Sequence, residues 1–297
     1  MADFNLLNLK DIAEPLASVT NNFINKIADA MGWLVSPKGI KPYVLEARKS
    51  IIDEIANRED IDPIERFAIV SNLKKIVKEY ETQVDIVKIA LNHLEKTAEP
   101  EKVDADWITF FFDRVKSTNN DELKSIWGKL IAGEFNEPNT YTKQLIHTLS
   151  IMDSDQAMRF QKLRSSCFYV APNLYTFVYR SDNDKIKNLS RYKELGLDFK
   201  DFRELENLGL IQYRYPTLYA IKNSNKPIQY GNKTIRLTTS DKSLLGGNVS
   251  LTDVGKQLCR IIDMQYDDRV LDICKDSWVK LGYKVSIKMD SSAEHNS

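Results

Sequence analysis

Apolar residues recur at spacings of three and four through most of the first 165 residues, and this spacing predicts a series of amphipathic helices. The first predicted helix runs from Leu6 to about Gly32. Its apolar stripe would suit a membrane surface or a partner helix, but its polar face carries Asp and Asn rather than the Lys and Arg of interfacial helices. We therefore expect this helix to pack in the core.

The longest predicted helix covers residues 63–97 and follows a shorter one at 43–57. Its apolar positions alternate spacings of three and four, as in a coiled-coil seam. Because Gln83 and Ala90 interrupt the seam, we expect this helix to pack against the chain's own helices. The seam consists of Leu73, Ile76, Tyr80, Gln83, Val87, Ala90 and Leu94.

Residues 104–164 predict four shorter helices. An Asp, Asn or Thr stands at each start, where a side-chain oxygen can accept a hydrogen bond from the first helical turn. Gly133 and Pro138 are predicted to close the second of these helices. The predicted starts are Asp104, Asn120 or Asp121, Thr140, and Asp153.

The pattern changes after Arg164, because residues 167–179 are rich in Phe, Tyr and Val, which suit a strand. A helical stripe then ends at Gly209, and a later strand leads into a helix capped by Thr252. The order of helix, strand, excursion, strand and helix resembles a winged helix. The predicted class is mainly α, with a multi-helix bundle at 1–165, a winged-helix-like α+β domain at 166–288 and a disordered tail at 289–297.

Composition fits an ordinary globular protein, with 42% hydrophobic and 28% charged residues. The 42 basic residues balance 42 acidic ones, so any binding to an anionic partner has to be local. The start of the chain is acidic, and no apolar run is long enough to predict a membrane span, so we expect a cytoplasmic protein without a transmembrane segment. Widely separated cysteines favour reduced thiols, with a Cys259–Cys274 disulfide as the alternative.

Local positive charge is concentrated in residues 210–250, where six basic residues face the single acidic Asp241. Four tyrosines are interleaved with these charges, and basic residues beside aromatics can hold phosphates and stack bases. The simpler interpretation is a solvated β-surface. The candidate nucleic-acid-binding residues are Arg214, Lys222, Lys226, Lys233, Arg236 and Lys242.

Enzymatic signatures are missing from the sequence. The three histidines lie on separate predicted elements, and there is no glycine-rich phosphate loop, nucleophile elbow or kinase motif. Four carboxylates near aromatic clusters could converge on a metal, although helix capping explains them more simply. We expect no catalytic residue, metal or cofactor. The four carboxylates are Asp104, Asp106, Glu134 and Glu137.

Several motifs together resemble a bacterial family of uncharacterised proteins, domain of unknown function 2806, over about residues 30–262. That family implies no activity or catalytic residues. The Trp127-x-x-x-Ile131-Ala132-Gly133-Glu134 element also resembles one in abortive-infection-like bacterial proteins, which implies a role in phage defence. The segments that carry the family resemblance are 32–34, 104–111, 126–138, 152–160, 205–211 and 251–255.

Three functional hypotheses follow from these patterns. The first is a non-enzymatic accessory protein, active in anti-phage defence, that associates with a protein partner or with itself. The second is a nucleic-acid-binding protein that uses the basic segment 210–250. The third is a metal-dependent hydrolase built on the four carboxylates.

Overall fold

The computed structural model divides the chain into two compact units, Met1–Ser150 and Ile151–Ser297. Both the predicted mainly α class and the α+β character of the C-terminal region are confirmed. The predicted boundary at 165 follows helix α7 (Ser154–Ser165), whereas the division between the two units precedes it. The structure describes residues 14–31, 42–177, 192–193, 195–214, 219–221, 226–238 and 244–289.

Helices form the described part of the N-terminal unit, and side-chain caps fix several of their starts. Asp62, Asp104 and Asn120 each accept a hydrogen bond from a backbone N–H in the first turn of the helix that follows. The helices are α1 (Glu14–Met31), α2 (Pro42–Ala56), α3 (Pro63–Leu91), α4 (Ala105–Val115), α5 (Asp121–Asn136) and α6 (Lys143–Ile151).

Helix α3 is shorter than the sequence predicts, because it ends at Leu91 rather than near residue 97. The Asn136 side chain donates to the carbonyl of His93 at 2.9 Å and accepts from the N–H of Glu95 at 2.9 Å. The backbone groups after Leu91 therefore have hydrogen-bond partners without a further helical turn. Helix α5, by contrast, continues through Gly133 and ends at Asn136, so of the two residues predicted to close it only Pro138 lies at its end.

The core of the N-terminal unit is aromatic and closely packed. Phe111 contacts Trp107 and Trp127 at centroid distances of 5.5 and 5.4 Å. A Cβ placed on Gly128 of α5 would lie 2.4 Å from Cγ2 of Ile89, so α3 and α5 approach too closely for any larger residue there. The predicted packing of α3 against the chain's own helices is therefore confirmed.

The C-terminal unit combines α7 with a five-stranded antiparallel sheet of order β2-β1-β5-β6-β9 and the strand pairs β3–β8 and β4–β7. Its strands are β1 (Cys167–Val170), β2 (Asn173–Thr176), β3 (Ile211–Tyr213), β4 (Ala220–Ile221), β5 (Ile228–Tyr230), β6 (Lys233–Thr238), β7 (Leu244–Leu245), β8 (Val249–Leu251) and β9 (Lys284–Met289). Its further helices are α8 (Phe199–Asn207), α9 (Asp253–Ile261) and α10 (Asp268–Lys280).

One face of the five-stranded sheet, here called the inner face, packs against α10. Trp278 of α10 contacts Phe168 of β1 at 5.7 Å between ring centroids, and Phe168 stacks on Tyr230 at 4.5 Å. All three side chains are buried. The hydrophobic core of this unit therefore lies between the sheet and α10.

The region that predicted a winged helix contains α8, β3, β8 and α9 in the expected order. Gly209 adopts φ 72°, which suits glycine, and Thr252 caps α9 as predicted while its hydroxyl also donates to the carbonyl of Gly209 at 2.6 Å. The excursion between β3 and β8 is more than a wing, because β5 and β6 belong to the five-stranded sheet. The winged-helix assignment stays a prediction, and residues 290–297 of the predicted tail lie outside the described residues.

The three cysteines are buried free thiols, so the alternative Cys259–Cys274 disulfide is wrong. Cys259 hydrogen-bonds with the thiol of Cys167, and this contact together with burial raises the pKa of Cys259. Cys274 lies 3.6 Å from the hydroxyl of Tyr192, and burial raises its pKa to about 12. High pKa values keep both thiols protonated and unreactive at neutral pH.

Candidate functional site

The described members of the predicted basic group make separate contacts. Arg214 follows β3 and donates to Gln212 at 2.7 Å, and Lys226 donates to the carbonyl of Ala171 at 3.0 Å. Lys233 pairs with Asp268 of α10. Lys222 and Lys242 lie outside the described residues.

Arg236 lies on the face of the five-stranded sheet opposite α10, here called the outer face. Its neighbours Ile235 and Leu237 are buried on the inner face, whereas Arg236 is exposed. Successive residues of a strand point to opposite faces, so Arg236 and Lys233 face opposite sides of β6. Among the described members of the basic group, Lys233 and Arg236 therefore do not share one surface.

The strand register aligns one row of side chains across all five strands of the outer face. Leu174 lies opposite Tyr169, Tyr169 opposite Gln229, Gln229 opposite Thr234, and Thr234 opposite Lys288. Residues directly opposite each other in an antiparallel pair point to the same face. The Thr234 hydroxyl donates to Oε1 of Gln229 at 3.0 Å, which agrees with this alignment.

Three cations occupy the β6–β9 side of the outer face. Arg236 lies opposite Ser286, Lys284 lies opposite Thr238, and Lys288 ends the row described above. All three are exposed. None of the five strands contains an acidic residue, so no carboxylate within the strands offsets these charges.

Tyr169 is the aromatic side chain at the other side of the row, and it is 44% exposed. The neighbouring outer-face position on β1, Cys167, is buried beside Cys259 of α9. The open part of the outer face therefore begins at Tyr169 and continues toward β9.

Sequence reasoning missed Tyr169, Lys284 and Lys288. The segment 210–250 excluded all three, and the pairing of Thr238 with Lys284 joins residues that are distant in the sequence. A usable signal was present in residues 284–289, where Lys, Ser and Lys alternate with Val, Ile and Met. This alternation of period two is typical of a strand with one solvated face.

A second notable surface lies on the N-terminal half of α3. Ile64 and Phe67 are 80% and 73% exposed, and Ala68 beside them is also exposed. Side chains spaced by three and four residues share one face of a helix. We call Ile64, Phe67 and Ala68 the α3 apolar surface.

The four carboxylates of the hydrolase hypothesis have separate structural positions. Asp104 caps α4 by accepting from the N–H of Trp107 at 2.7 Å. Glu134 is 3% exposed and accepts from the N–H groups of Asn139 and Tyr141 at 2.7 and 2.8 Å. Asp106 and Glu137 are exposed, and no group of three or more His, Cys, Asp or Glu residues that could hold a metal occurs among the described residues.

Glu134 holds the loop after α5 against the helix. Burial raises the pKa of this carboxyl, and the backbone hydrogen bonds oppose the rise only in part. Asn139 adopts φ 68°, and a Cβ on Gly133 would lie 2.7 Å from the Tyr141 ring. The Trp-x-x-x-Ile-Ala-Gly-Glu element is therefore a packing and loop-fixing motif.

Within the described part of the chain, no helix is both long and apolar enough to cross a membrane. Comparison with curated proteins and with solved structures found no match. The family model described as "Protein of unknown function (DUF2806)" matches residues 72–273, which start later and end later than the resemblance seen in the sequence. The match covers more than half of the chain, and the chain therefore belongs to the DUF2806 family.

Proposed function

We propose that this protein is a non-enzymatic accessory protein that acts through protein association, and that a second copy of the chain docks on the α3 apolar surface. The observation that supports the proposal is the exposure of Ile64 and Phe67, 80% and 73%, on one face of a helix. Contiguous apolar side chains exposed on one helix face often mark a protein–protein interaction surface. The surface lies before residue 72, where the family match begins.

Charge complementarity favours a second copy as the occupant. Glu59 and Asp60 precede the α3 apolar surface, and the exposed Lys74 and Lys75 follow it. Asp60 also pairs with Arg58, and Lys75 lies 3.9 Å from Glu79, so Glu59 and Lys74 carry most of the complementarity. Lys74 lies seven residues beyond Phe67, roughly 10 Å along the helix axis. In an antiparallel two-fold pairing centred on Phe67, the acidic end of one copy meets the basic end of the other.

The expected dimer is weak. Stable interfaces bury about 800 Å² on each partner, more than two or three side chains supply. Exposed ion pairs at the rim add on the order of 0–1 kcal/mol each. Association should therefore depend on protein concentration.

The test is sedimentation velocity of the full chain over a concentration series. Ile64→Ser with Phe67→Ser should weaken dimerisation by about tenfold or more, because the apolar centre is lost. Ile151→Ser with Val279→Ser is the matched control, since these side chains are 58% and 56% exposed elsewhere. A wild-type chain that stays monomeric, or a double variant that still dimerises like the wild type, would contradict the proposal.

A charge exchange tests the antiparallel geometry separately. Lys74→Glu with Lys75→Glu should weaken association, because like charges then face each other across the two-fold axis. Adding Glu59→Lys and Asp60→Lys to the same chain should restore it. Failure of the second pair to restore association would exclude this pairing while leaving an apolar contact possible.

The biological setting that we propose is anti-phage defence. This proposal rests on the resemblance of residues 127–134 to abortive-infection-like proteins. The packing roles of those residues do not themselves indicate an activity. Phage plaque counts on bacteria that express the chain, compared with an empty-vector strain, test the setting. Protection that is lost in the Ile64→Ser, Phe67→Ser variant would connect it to association, and equal plaque counts in both strains would contradict it.

A further inference from the structure

The outer face of the five-stranded sheet combines an aromatic side with a cationic side. Tyr169 and Leu174 lie on β1 and β2, and Arg236, Lys284 and Lys288 lie on β6 and β9. Neighbouring strands are about 4.8 Å apart, so Tyr169 and Lys288 are separated by three strand spacings, about 14 Å. The face is therefore an extended surface with two kinds of contact on it.

The polar centre of this face adds hydrogen-bonding groups. Gln229 and Thr234 lie between Tyr169 and Lys288 in the same row, and their side chains hydrogen-bond to each other. An amide and a hydroxyl can donate to and accept from the edges of unpaired bases. The row thus presents stacking, hydrogen-bonding and cationic groups in that order.

Charge on the two sides of this layer differs. The five strands carry basic but no acidic residues, whereas α10 on the inner face balances the exposed Asp268, Asp272 and Asp276 with Arg269, Lys275 and Lys280. A polyanion is accordingly favoured on the outer face over the exposed surface of α10.

We propose that the outer face binds single-stranded nucleic acid. Tyr169 stacks on a base, and Arg236, Lys284 and Lys288 contact backbone phosphates. An unpaired strand fits best because a base can reach the Tyr169 ring only when it is not paired, and a broad sheet does not enter a duplex groove as a helix or two-stranded ribbon does. This site replaces the dispersed residues of segment 210–250, of which it keeps Arg236, and it does not depend on self-association.

The test is fluorescence anisotropy of the full chain with labelled oligomers of about 12 nucleotides, oligouridine and oligodeoxythymidine, beside a duplex of equal length. With three phosphate contacts, log affinity should fall with log salt at a slope of about −2, from about −0.7 per contact on a single strand. Single strands should bind more tightly than the duplex. The two oligomers distinguish RNA from DNA as the source of the ligand.

Two matched double variants separate a site from general charge. Lys284→Gln with Lys288→Gln should reduce the slope to about −0.7, since one contact remains. Lys275→Gln with Lys280→Gln changes the net charge equally on exposed positions of α10 and should leave the slope at about −2. Equal effects of the two pairs would overturn the proposal.

Tyr169 tests stacking independently of charge. Tyr169→Ala should weaken single-strand binding by about 5- to 150-fold, the range for loss of one base–aromatic stack, whereas Tyr169→Phe keeps the ring and should bind like the wild type. An unchanged affinity in Tyr169→Ala would overturn the assignment. So would absence of binding to both oligomers at low salt, or equal affinity for the duplex or for anionic lipid vesicles.

Discussion

The two faces of the five-stranded sheet use the same strands for different purposes. On the inner face, Phe168, Tyr230 and Ile235 are buried against α10. On the outer face, the alternate residues Tyr169 and Arg236 are exposed. Because side chains alternate along a strand, one stretch of backbone holds a hydrophobic core and a polar surface at the same time. Inner-face substitutions should therefore cost stability, and substitutions at the exposed outer-face positions should change binding with little loss of stability.

The largest effect is expected for Trp278→Ala, which removes the central ring between α10 and the sheet. Trp278 is fully buried, so the cavity should lower the free energy of unfolding by about 3–5 kcal/mol. Urea unfolding followed by circular dichroism measures the loss. Trp278→Phe retains most of the ring volume and should lose less, and equal losses in the two variants would count against a packing role.

A smaller effect is expected for Ile235→Val on β6. The side chain is fully buried between β5 and β9, and removal of one methylene group should cost about 0.5–1.5 kcal/mol. The same unfolding measurement applies. A loss of that size in the matched strand variant Thr238→Ser, which changes an exposed side chain on the same strand, would break the distinction between the faces.

A still smaller effect is expected for Lys233→Gln. Lys233 lies on the inner side of β6 and pairs with Asp268, whose side chain is 78% exposed. A solvent-exposed partner limits the pair to about 0–1 kcal/mol, and salt should reduce it further. Unfolding at low and high salt tests this. A loss above that range that persists at high salt would show that packing of the Lys233 side chain, rather than its ion pair, stabilises the fold.

The smallest stability effect is expected for Lys284→Gln with Lys288→Gln. Both side chains are exposed on the outer face, so the free energy of unfolding should stay within about 0.5 kcal/mol of wild type. The salt dependence of single-strand binding should nevertheless change in this variant. A large loss of stability would remove the separation of roles and would require binding to be remeasured with less disruptive substitutions.

Local features of the fold could be predicted from the sequence because their causes lie within a few residues. Asp104, Asn120 and Thr252 cap helices as expected, and Gly209 turns the chain after α8. The end of α3 could not be predicted in this way. It depends on Asn136, which is distant in the sequence and redirects the backbone groups of His93 and Glu95.

The candidate sites show the same limit. Segment 210–250 contains Arg236, but the residues that share its surface come from β1 and β9 and meet it only through strand pairing. Charge density along the sequence grouped Arg236 with Lys233, although Lys233 lies on the inner face of the sheet and Arg236 on the outer face. The exposure of Ile64 and Phe67 could not be predicted from the sequence either. Helical periodicity does not show which apolar residues are covered by other elements of the fold.

Between its unfolded and folded pKa values, the buried carboxyl of Glu134 takes up a proton when the N-terminal unit folds. Its pKa is raised above the usual value of 4.5, so the folded chain holds this proton more tightly than the unfolded chain does. The resulting contribution to stability is fully present below the unfolded pKa and is lost as the pH rises through the folded pKa. At higher pH the carboxyl is ionised while still buried, and the free energy of unfolding of the unit is lower as a result.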